Sequence, residues 1–265
     1  LFENNSNISD NGKSNNRPTM LFFHERILNF PIISEIGCNI VQRLDMNFLF
    51  FGYRGFGKSL GEANIKNAFE DGDSILQYVF SNNLPISIEN IYLYGKDIGA
   101  TIAINTCFKY QHLIKGLILE NCFASFSRFI EDTFPFLYFF KKYIIKNEIN
   151  NINIISQLRC PLLFIVSKED EIVPFKHSVD LYNNCQLSIH KEIKLFSFAY
   201  HDDLFDFVHN AYYNKIRDFI NNVKEIKSNM KNDENCFNEN EDSNKILNQS
   251  TTVFDVEDNI LIIEK

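Results

Sequence analysis

Residues 94–100 have the composition and spacing of a catalytic turn, with an acidic side chain at its centre. The apolar run 91–94 leads into the turn, and apolar residues at helical spacing follow it, which predicts a strand, a tight turn and a helix. Gly95 and Gly99 allow the strand and the helix to pack closely. This is the pattern of a nucleophile elbow, G-x-S-x-G, except that Asp97 occupies the position of the serine. The alternative interpretation is a plain strand–helix junction in a parallel sheet.

The rest of the chain alternates between apolar runs and helical periodicities, and these elements must position the turn. Strands are predicted at 20–23, 47–51, 91–94, 113–119, 161–166 and 192–198. Helices are predicted at 33–44, 65–81, 97–110, 151–157, 175–183 and 203–226. This alternation predicts an α/β fold with a mainly parallel sheet that carries helices on both faces.

Changes in composition divide the chain into segments. Residues 1–18 form a polar lead-in, and the folded domain is predicted to span 19–226. Within that domain, the phenylalanine-rich stretch 126–157 is expected to form a small helical lid. Segment 227–250 is rich in Asn, Asp, Glu and Lys, which predicts disorder. The apolar segment 251–265 is expected either to add a strand or to dock on the domain.

The net charge and the cysteine pattern argue against several classes of function. A net charge of -8 disfavours nucleic-acid binding, which needs a basic surface. The six cysteines are scattered, without C-x-x-C or close Cys/His spacing. Free buried thiols in a reducing compartment are therefore favoured over disulfides or structural zinc. We predict no cofactor.

No apolar run in this sequence approaches the ~20 residues that a helix needs to cross a bilayer. The nearest, 134–145, is interrupted by Lys141 and Lys142, and no signal peptide is recognisable. We therefore expect an intracellular protein, in which a membrane anchor would precede Leu1. The lysine-bearing stretch itself offers an alternative contact with a membrane surface.

Phenylalanines in the expected lid suggest a ligand class. Phe134, Phe136, Phe139 and Phe140 are expected to face either the core or a groove that accepts a small acyl or lipid-like ligand. Plain core packing is favoured of the two.

The segment Gly52–Ser59 matches the Walker A pattern G-x-x-x-x-G-K-[ST] and follows a predicted strand. A phosphate-binding loop must open directly into a helix, whose N-terminal amides hold the phosphates. Here Gly61 interrupts that first turn, and helical periodicity begins only near Ile65. The sequence therefore favours a structural glycine turn over nucleotide binding.

Several motifs, in order, resemble an α/β-hydrolase over residues 19 to about 224. The branch it resembles is the small membrane-associated serine hydrolases, which include depalmitoylating thioesterases and bud-emergence-type hydrolases. Those proteins carry H-G-N after a strand, then D-Y-R-G-Y-G-K-S, the elbow G-R-S-L-G-G, E-N-T-F, D-E-I-V-P and H-N-D. The corresponding segments after the first are 52–59, 95–100, 120–123, 170–174 and 201–203. Members of this branch usually have two further strands, and often an N-terminal anchor, ahead of the strand at 20–23.

The resemblance implies a catalytic triad at three positions. Asp97 corresponds to the nucleophile, Asp170 to the triad acid and His201 to the base, in the chain order that this fold uses. Asp170 and His201 each follow a predicted strand, at the strand ends where open α/β sheets place their sites. Asp170 could equally be a helix or turn cap, and without the resemblance His201 would be interpreted as a surface histidine before a helix.

Aspartate at the elbow changes the chemistry that the site can perform. Serine hydrolysis needs a hydroxyl that His201 can deprotonate, and Asp97 has no such proton at neutral pH. One interpretation is a binding or regulatory pseudo-hydrolase. The other is attack by Asp97 on a saturated carbon, as in dehalogenases and epoxide hydrolases, followed by hydrolysis of the alkyl ester by water that His201 activates.

The predicted oxyanion loop also departs from the family. The amide of Ile98 and that loop should stabilise developing negative charge. Each hydrogen-bond donor of this kind increases the reaction rate by about 10²–10³-fold. This chain replaces the family's glycine with Glu25, which brings a second carboxylate towards Asp97. Arg26 or Lys96 is expected to neutralise the two carboxylates and to fill the pocket with ion pairs. A metal held by Asp97, Glu25 and His201 has no support in the spacing, and we predict none.

Overall fold

A computed structural model describes residues 17–26, 29–81, 84–136, 149–204, 209–235 and 260–263. Its strands are β1 Thr19–Phe23, β2 Asn47–Phe51, β3 Ile91–Lys96, β4 Gly116–Glu120, β5 Leu162–Ser167, β6 Lys191–Phe196 and β7 Ile260–Ile263. Its α-helices are α1 Phe30–Leu44, α2 Ile65–Ser81, α3 Ile98–Tyr110, α4 Phe126–Thr133, α5 Asn151–Ile155, α6 Lys176–Asn184 and α7 His209–Asn235. The strands form one sheet in the order β6-β5-β4-β3-β1-β2-β7.

The first six strands are parallel, as the sequence predicted. β1 to β5 are buried along their whole length, which explains why their sequences are continuous apolar runs rather than alternating patterns. Successive residues point to opposite faces of the sheet. Leu21 and Phe23 therefore join the core under α2 and α3, whereas Met20 and Phe22 join the core under α1 and α7.

The register of the parallel strands brings their carboxyl ends to one edge of the sheet. Phe23 of β1 is paired with Gly95 of β3, and Lys96 of β3 is paired with Glu120 of β4. The loops that follow these strands, and those that follow β5 and β6, therefore meet at the same edge. This edge holds the candidate site.

The last helix extends beyond the sequence prediction at its C-terminal end. A helix was predicted at 203–226 with disorder from 227, whereas α7 runs from His209 to Asn235. Disorder was therefore the wrong prediction for 227–235. Once a helix is nucleated and packed, each added residue needs only the small cost of propagation, so a polar sequence can extend it. Residues 236–250 lie outside the described part of the chain.

The C-terminal apolar segment adds a strand, one of its two expected outcomes. β7 pairs antiparallel with β2, so that Phe48 is opposite Ile263 and Phe51 is opposite Ile260. It covers the edge of β2 that the parallel strands leave open.

The described part of the lid region consists of α4 and α5, joined by a bridge between Ser125 and Asn150. Ser125 also caps α4 by accepting a hydrogen bond from the Arg128 amide. Phe134 and Phe136 are exposed, so the expectation that they pack into the core was wrong. Phe139 and Phe140 lie outside the described residues.

The Walker-like segment forms a compact turn. Ser59 Oγ donates a hydrogen bond to the carbonyl of Gly52 at 2.9 Å, and Arg54 is held by Asp71, whose Oδ1 accepts from Nε at 2.5 Å. The helix that follows begins only at Ile65, so this loop does not open directly into a helix. The geometry is that of a structural turn.

Candidate active site

The turn at Asp97 has the backbone geometry of an elbow. Asp97 has φ 51° and ψ −120°, a conformation that non-glycine residues adopt only when the surrounding structure enforces it. A Cβ at Gly95 would lie 2.5 Å from Ala100 Cα, and a Cβ at Gly99 would lie 2.1 Å from the carbonyl oxygen of Phe23. Both glycines are therefore required by close backbone packing. The turn places the Asp97 carboxylate, which is 6% exposed, at the N-terminus of α3.

The structure brings Asp170 and His201 together as a hydrogen-bonded pair. Asp170 Oδ2 lies 2.7 Å from His201 Nδ1, and Asp170 Oδ1 accepts hydrogen bonds from the amides of Ile172 and Val173. The acid is thus held in place by its own loop and in turn orients the imidazole. His201 Nε2 is buried and has no hydrogen-bond partner among the described residues.

Asp97 lies within electrostatic range of this pair. Burial acts to lower the pKa of His201, but the hydrogen bond and charge of Asp170, together with the charge of Asp97, hold it above its usual value. Burial raises the pKa of Asp97, and the charges of His201 and Arg26 and a hydrogen bond from the Ile98 amide offset only part of this effect. The three predicted positions therefore converge on one site.

Arg26 follows β1 and approaches the elbow carboxylate. Its Nε lies 3.9 Å from Asp97 Oδ2, and its side chain is 53% exposed. The contact is therefore a long, partly solvated ion pair.

Lys96 joins the two loops on either side of the elbow. Its Nζ lies 3.2 Å from Glu25 Oε2 in the loop after β1 and 3.0 Å from Asp202 Oδ1 beside His201. Burial acts to lower the pKa of Lys96, but the carboxylates of Glu120, Glu25 and Asp202 outweigh burial and raise it. Lys96 is therefore a buried cation that links three carboxylates. Burial also raises the pKa of Glu25, against the opposing effect of Lys96.

One cluster in the site has the donor atoms of a metal centre. Single ligand atoms of Glu25, His201 and Asp202 lie within 4.8 Å of one another. From the sequence, we considered a set of Asp97, Glu25 and His201. In the structure, Asp202 takes the place of Asp97 in this set. The ammonium group of Lys96 already contacts both carboxylates, so the chain supplies its own cation there.

A hydroxyl and carboxylate cluster beneath the elbow was missed by sequence reasoning. Tyr94, on the elbow strand, and Tyr212, on α7, both donate to Glu120 Oε2, the latter at 2.8 Å. The charge of Glu120 in turn raises the pKa of Lys96. The cluster thereby anchors α7 beneath the elbow. Only alternation along β3 could have shown that Tyr94 faces α7.

Asn121 is a second residue whose role sequence reasoning missed. Its Oδ1 accepts from the Ser167 amide at 2.9 Å, and its Nδ2 donates to the His201 carbonyl at 3.3 Å. It therefore ties the end of β5 to the loop that carries the histidine. Its backbone has φ 47°, a value that asparagine tolerates better than most residues.

Comparison with known proteins places this site in a family. The chain is 31% identical to Protein bem46 of Schizosaccharomyces pombe over 210 residues, which cover 77% of this chain and 67% of that protein. The chain belongs to the bem46-type branch of the α/β-hydrolase superfamily. It is also 31% identical, over 68% of its length, to an uncharacterized membrane protein of Saccharomyces cerevisiae, and covers 62% of that protein. No family model matches.

Solved structures share the bem46-type fold at lower identity. An esterase of Pyrococcus furiosus matches 80% of this chain and 84% of its own with a TM-score of 0.63 and 18% identity. A monoacylglycerol lipase of Paleococcus ferrophilus matches 78% of this chain and 96% of its own with a TM-score of 0.57 and 16% identity. These matches confirm the predicted α/β-hydrolase fold.

The chain spans between 57% and 67% of the length of the curated relatives it matches. Although one bem46-type relative is described as a membrane protein, no helix among the described residues of this chain has the length and apolar character to span a bilayer. The five described cysteines are free thiols, and four of them are buried, as the sequence predicted.

Proposed function

We propose that this bem46-type chain is a pseudo-hydrolase, a binding or regulatory protein that keeps the hydrolase fold without serine-type catalysis. The observation that carries the proposal is Asp97, which occupies an elbow whose backbone geometry is intact. A carboxylate that attacked an ester would form an anhydride, a product less stable than the ester it replaced. Ester or thioester hydrolysis through Asp97 is therefore disfavoured at its first step.

The charges of the site support the same proposal. An oxyanion site needs preorganised donors that are free to meet developing negative charge. Here Glu25 adds a negative charge on the loop that should supply such donors, and Lys96 is engaged by Glu25 and Asp202. Arg26 forms a long ion pair with Asp97. The charged side chains around the elbow thus compensate one another.

We further propose that any ligand is a small acyl or lipid-like molecule and that the protein acts inside the cell, at or near a membrane surface. Structural neighbours described as an esterase and a monoacylglycerol lipase support the ligand class, and the exposed Phe134 and Phe136 at the end of the lid helix support an apolar contact.

Turnover of short activated esters tests the loss of catalysis. The wild-type chain and Asp97→Asn should hydrolyse p-nitrophenyl acetate and butyrate at the rate of a folded control protein, because neither contains an elbow hydroxyl. Asp97→Ser should exceed both. Saturable hydrolysis by the wild-type chain that His201→Gln abolishes would overturn the proposal.

The pairing of Asp170 with His201 favours a second candidate function. An oriented imidazole has no role in a site that only binds, yet the 2.7 Å hydrogen bond is present and Nε2 has no partner among the described residues. In this candidate, an Asp97 oxygen attacks a saturated carbon and displaces a halide or opens an epoxide. His201 then takes a proton from water, and the resulting hydroxide attacks the Asp97 carbonyl carbon, which releases the alcohol and restores the carboxylate.

Two features oppose this second candidate. Burial raises the pKa of Asp97, and the charges of Asp170 and Asp97 raise the pKa of His201, so both shifts run against the ionised nucleophile and the neutral base that this candidate needs. The test is the intact mass of His201→Gln after exposure to 1-bromoalkanes and styrene oxide. In that variant an alkyl ester on Asp97 would persist, and its detection would establish the second candidate and refute the first.

A further inference from the structure

Two buried cysteines face each other at the edge of the sheet opposite the candidate site. Cys107 lies near the C-terminal end of α3, and Cys160 lies just before β5 begins. Their Sγ atoms are 3.4 Å apart, and both side chains are buried. Sequence reasoning could not find this pair, because 53 positions separate the two residues and no spacing motif links them.

The backbone around the two cysteines is held in place by hydrogen bonds that do not involve sulfur. The Arg159 amide donates to Gln111 Oε1, just beyond α3, at 2.8 Å. Ser188 Oγ donates to the Cys160 carbonyl at 2.7 Å. The close approach of the two sulfurs therefore follows from the packing of α3 against the start of β5.

We propose that Cys107 and Cys160 are a disulfide-forming pair that a small peroxide oxidises within the folded protein. A disulfide needs the sulfurs to close from 3.4 Å to about 2.05 Å. Cys160 is the more accessible of the two, at 5% exposed against 0% for Cys107. It is therefore the sulfur that meets the oxidant first.

The reaction balances with hydrogen peroxide as the two-electron oxidant. The Cys160 thiolate attacks one peroxide oxygen and breaks the O–O bond, which gives a sulfenic acid and, after protonation, one water. The Cys107 sulfur then attacks the sulfenic sulfur, loses its proton and displaces the hydroxyl group as a second water. The S–S bond forms without any further reactant.

The disulfide would join the elbow helix to the strand that leads to Asp170. It would close a loop of more than fifty residues, and a cross-link of that length removes substantial conformational freedom from the unfolded chain. The oxidised protein should therefore be more stable than the reduced protein. Asp97, Asp170 and His201 lie at the other edge of the sheet, so this inference is independent of the proposed function.

Peptide mapping of the wild-type chain tests the proposal. The reduced protein is treated with hydrogen peroxide, blocked with N-ethylmaleimide in denaturant, digested without reductant and analysed by mass spectrometry. We expect a linked peptide pair that joins Cys107 to Cys160, while Cys122 and Cys185 are recovered as blocked thiols. Cys185 is the internal control because it is also buried but donates to the Tyr182 carbonyl. Recovery of Cys107 and Cys160 as blocked thiols, or linkage of either to another cysteine, would overturn the proposal.

Denaturation provides the second measurement. Peroxide should raise the urea midpoint of the wild-type chain and of Cys185→Ser, and should leave the midpoint of Cys160→Ser unchanged. An equal rise in Cys160→Ser would refute the assignment. If Cys160→Ser does not fold, the peptide map of the wild-type chain decides alone.

Discussion

The elbow at Asp97 and the loop after β1 contact each other, and they are constrained by different forces. Backbone packing fixes the elbow, since Gly99 leaves no room for a Cβ beside the carbonyls of Phe23 and His24. In the loop, the side chains of Glu25 and Arg26 contact partners of opposite charge.

This difference indicates which parts of the site can change without loss of the fold. The close backbone packing of the elbow depends on Gly95 and Gly99 rather than on the side chain of residue 97, which here is a carboxylate. The loop carries charges that Lys96 and Asp97 compensate. The backbone geometry of the elbow therefore does not depend on which reactive side chain it carries.

Gly99→Ala should have the largest effect on the backbone side of this comparison. The added methyl group would lie 2.1 Å from a main-chain oxygen that cannot rotate away, so we expect a loss of about 3 kcal/mol or more in the free energy of unfolding. Urea denaturation measures it. Gly116→Ala is the matched control, because its methyl group would meet the Phe219 ring at 3.2 Å and a ring can shift. Equal losses in both variants would contradict the special role of the elbow.

Lys96→Met should have the next largest effect, on the side-chain half of the comparison. Removing the cation leaves Glu25 and Glu120 without compensation, so we expect a loss of about 2–4 kcal/mol, limited by the exposure of Asp202. Lys168→Met, at an exposed lysine, is the control. Adding Glu25→Gln should recover part of the loss. A double variant with fully additive losses would show that the pair is not coupled.

Asp170→Asn should lower the pKa of His201, because burial then acts without the charge of the acid. NMR titration of the imidazole measures the shift, and Asp203→Asn should leave the pKa nearly unchanged. The folded-state pKa of His201 is raised, so its stabilising contribution is complete below the unfolded value of about 6.5 and disappears as pH rises through the raised value. An unchanged His201 pKa in Asp170→Asn would show that Asp170 does not raise that pKa.

Arg26→Gln should have the smallest effect on stability, below about 0.5 kcal/mol, because its ion pair with Asp97 is long and half exposed. It should nevertheless raise the pKa of Asp97 further, because the guanidinium group lowers that pKa. Carbon-detected NMR of the Asp97 carboxyl follows this change, with Arg17→Gln as the control. A large loss of stability would show that Arg26 holds the loop itself.

Local patterns were sufficient to predict the sheet and the elbow. Continuous apolar runs identified β1 to β5, and the glycine spacing around Asp97 identified the turn, because both signals lie within a few neighbouring residues. The motif order further placed Asp170 and His201, which the structure joins by a hydrogen bond.

Contacts between distant segments could not be predicted in the same way. The convergence of Tyr94, Glu120 and Tyr212, the bridge made by Asn121 and the approach of Cys107 to Cys160 each depend on packing across the sheet. The sequence suggested that Arg26 or Lys96 would neutralise the acidic groups, but not that Lys96 would join Glu25 to Asp202 while Arg26 approaches Asp97. Local spacing carries no information on such partner choices.

Fluorophosphonate labelling tests the central claim most directly. Intact mass spectrometry after exposure to the probe would compare the wild-type chain, Asp97→Ser, Asp97→Asn and the double variant Asp97→Ser/Glu25→Gly, which also restores the glycine of the family loop. We predict no adduct on the wild-type chain or on Asp97→Asn, one adduct on the introduced hydroxyl in Asp97→Ser, and faster labelling in the double variant. Labelling of the wild-type chain that His201→Gln abolishes would contradict the claim that the aspartate at this elbow has replaced serine chemistry.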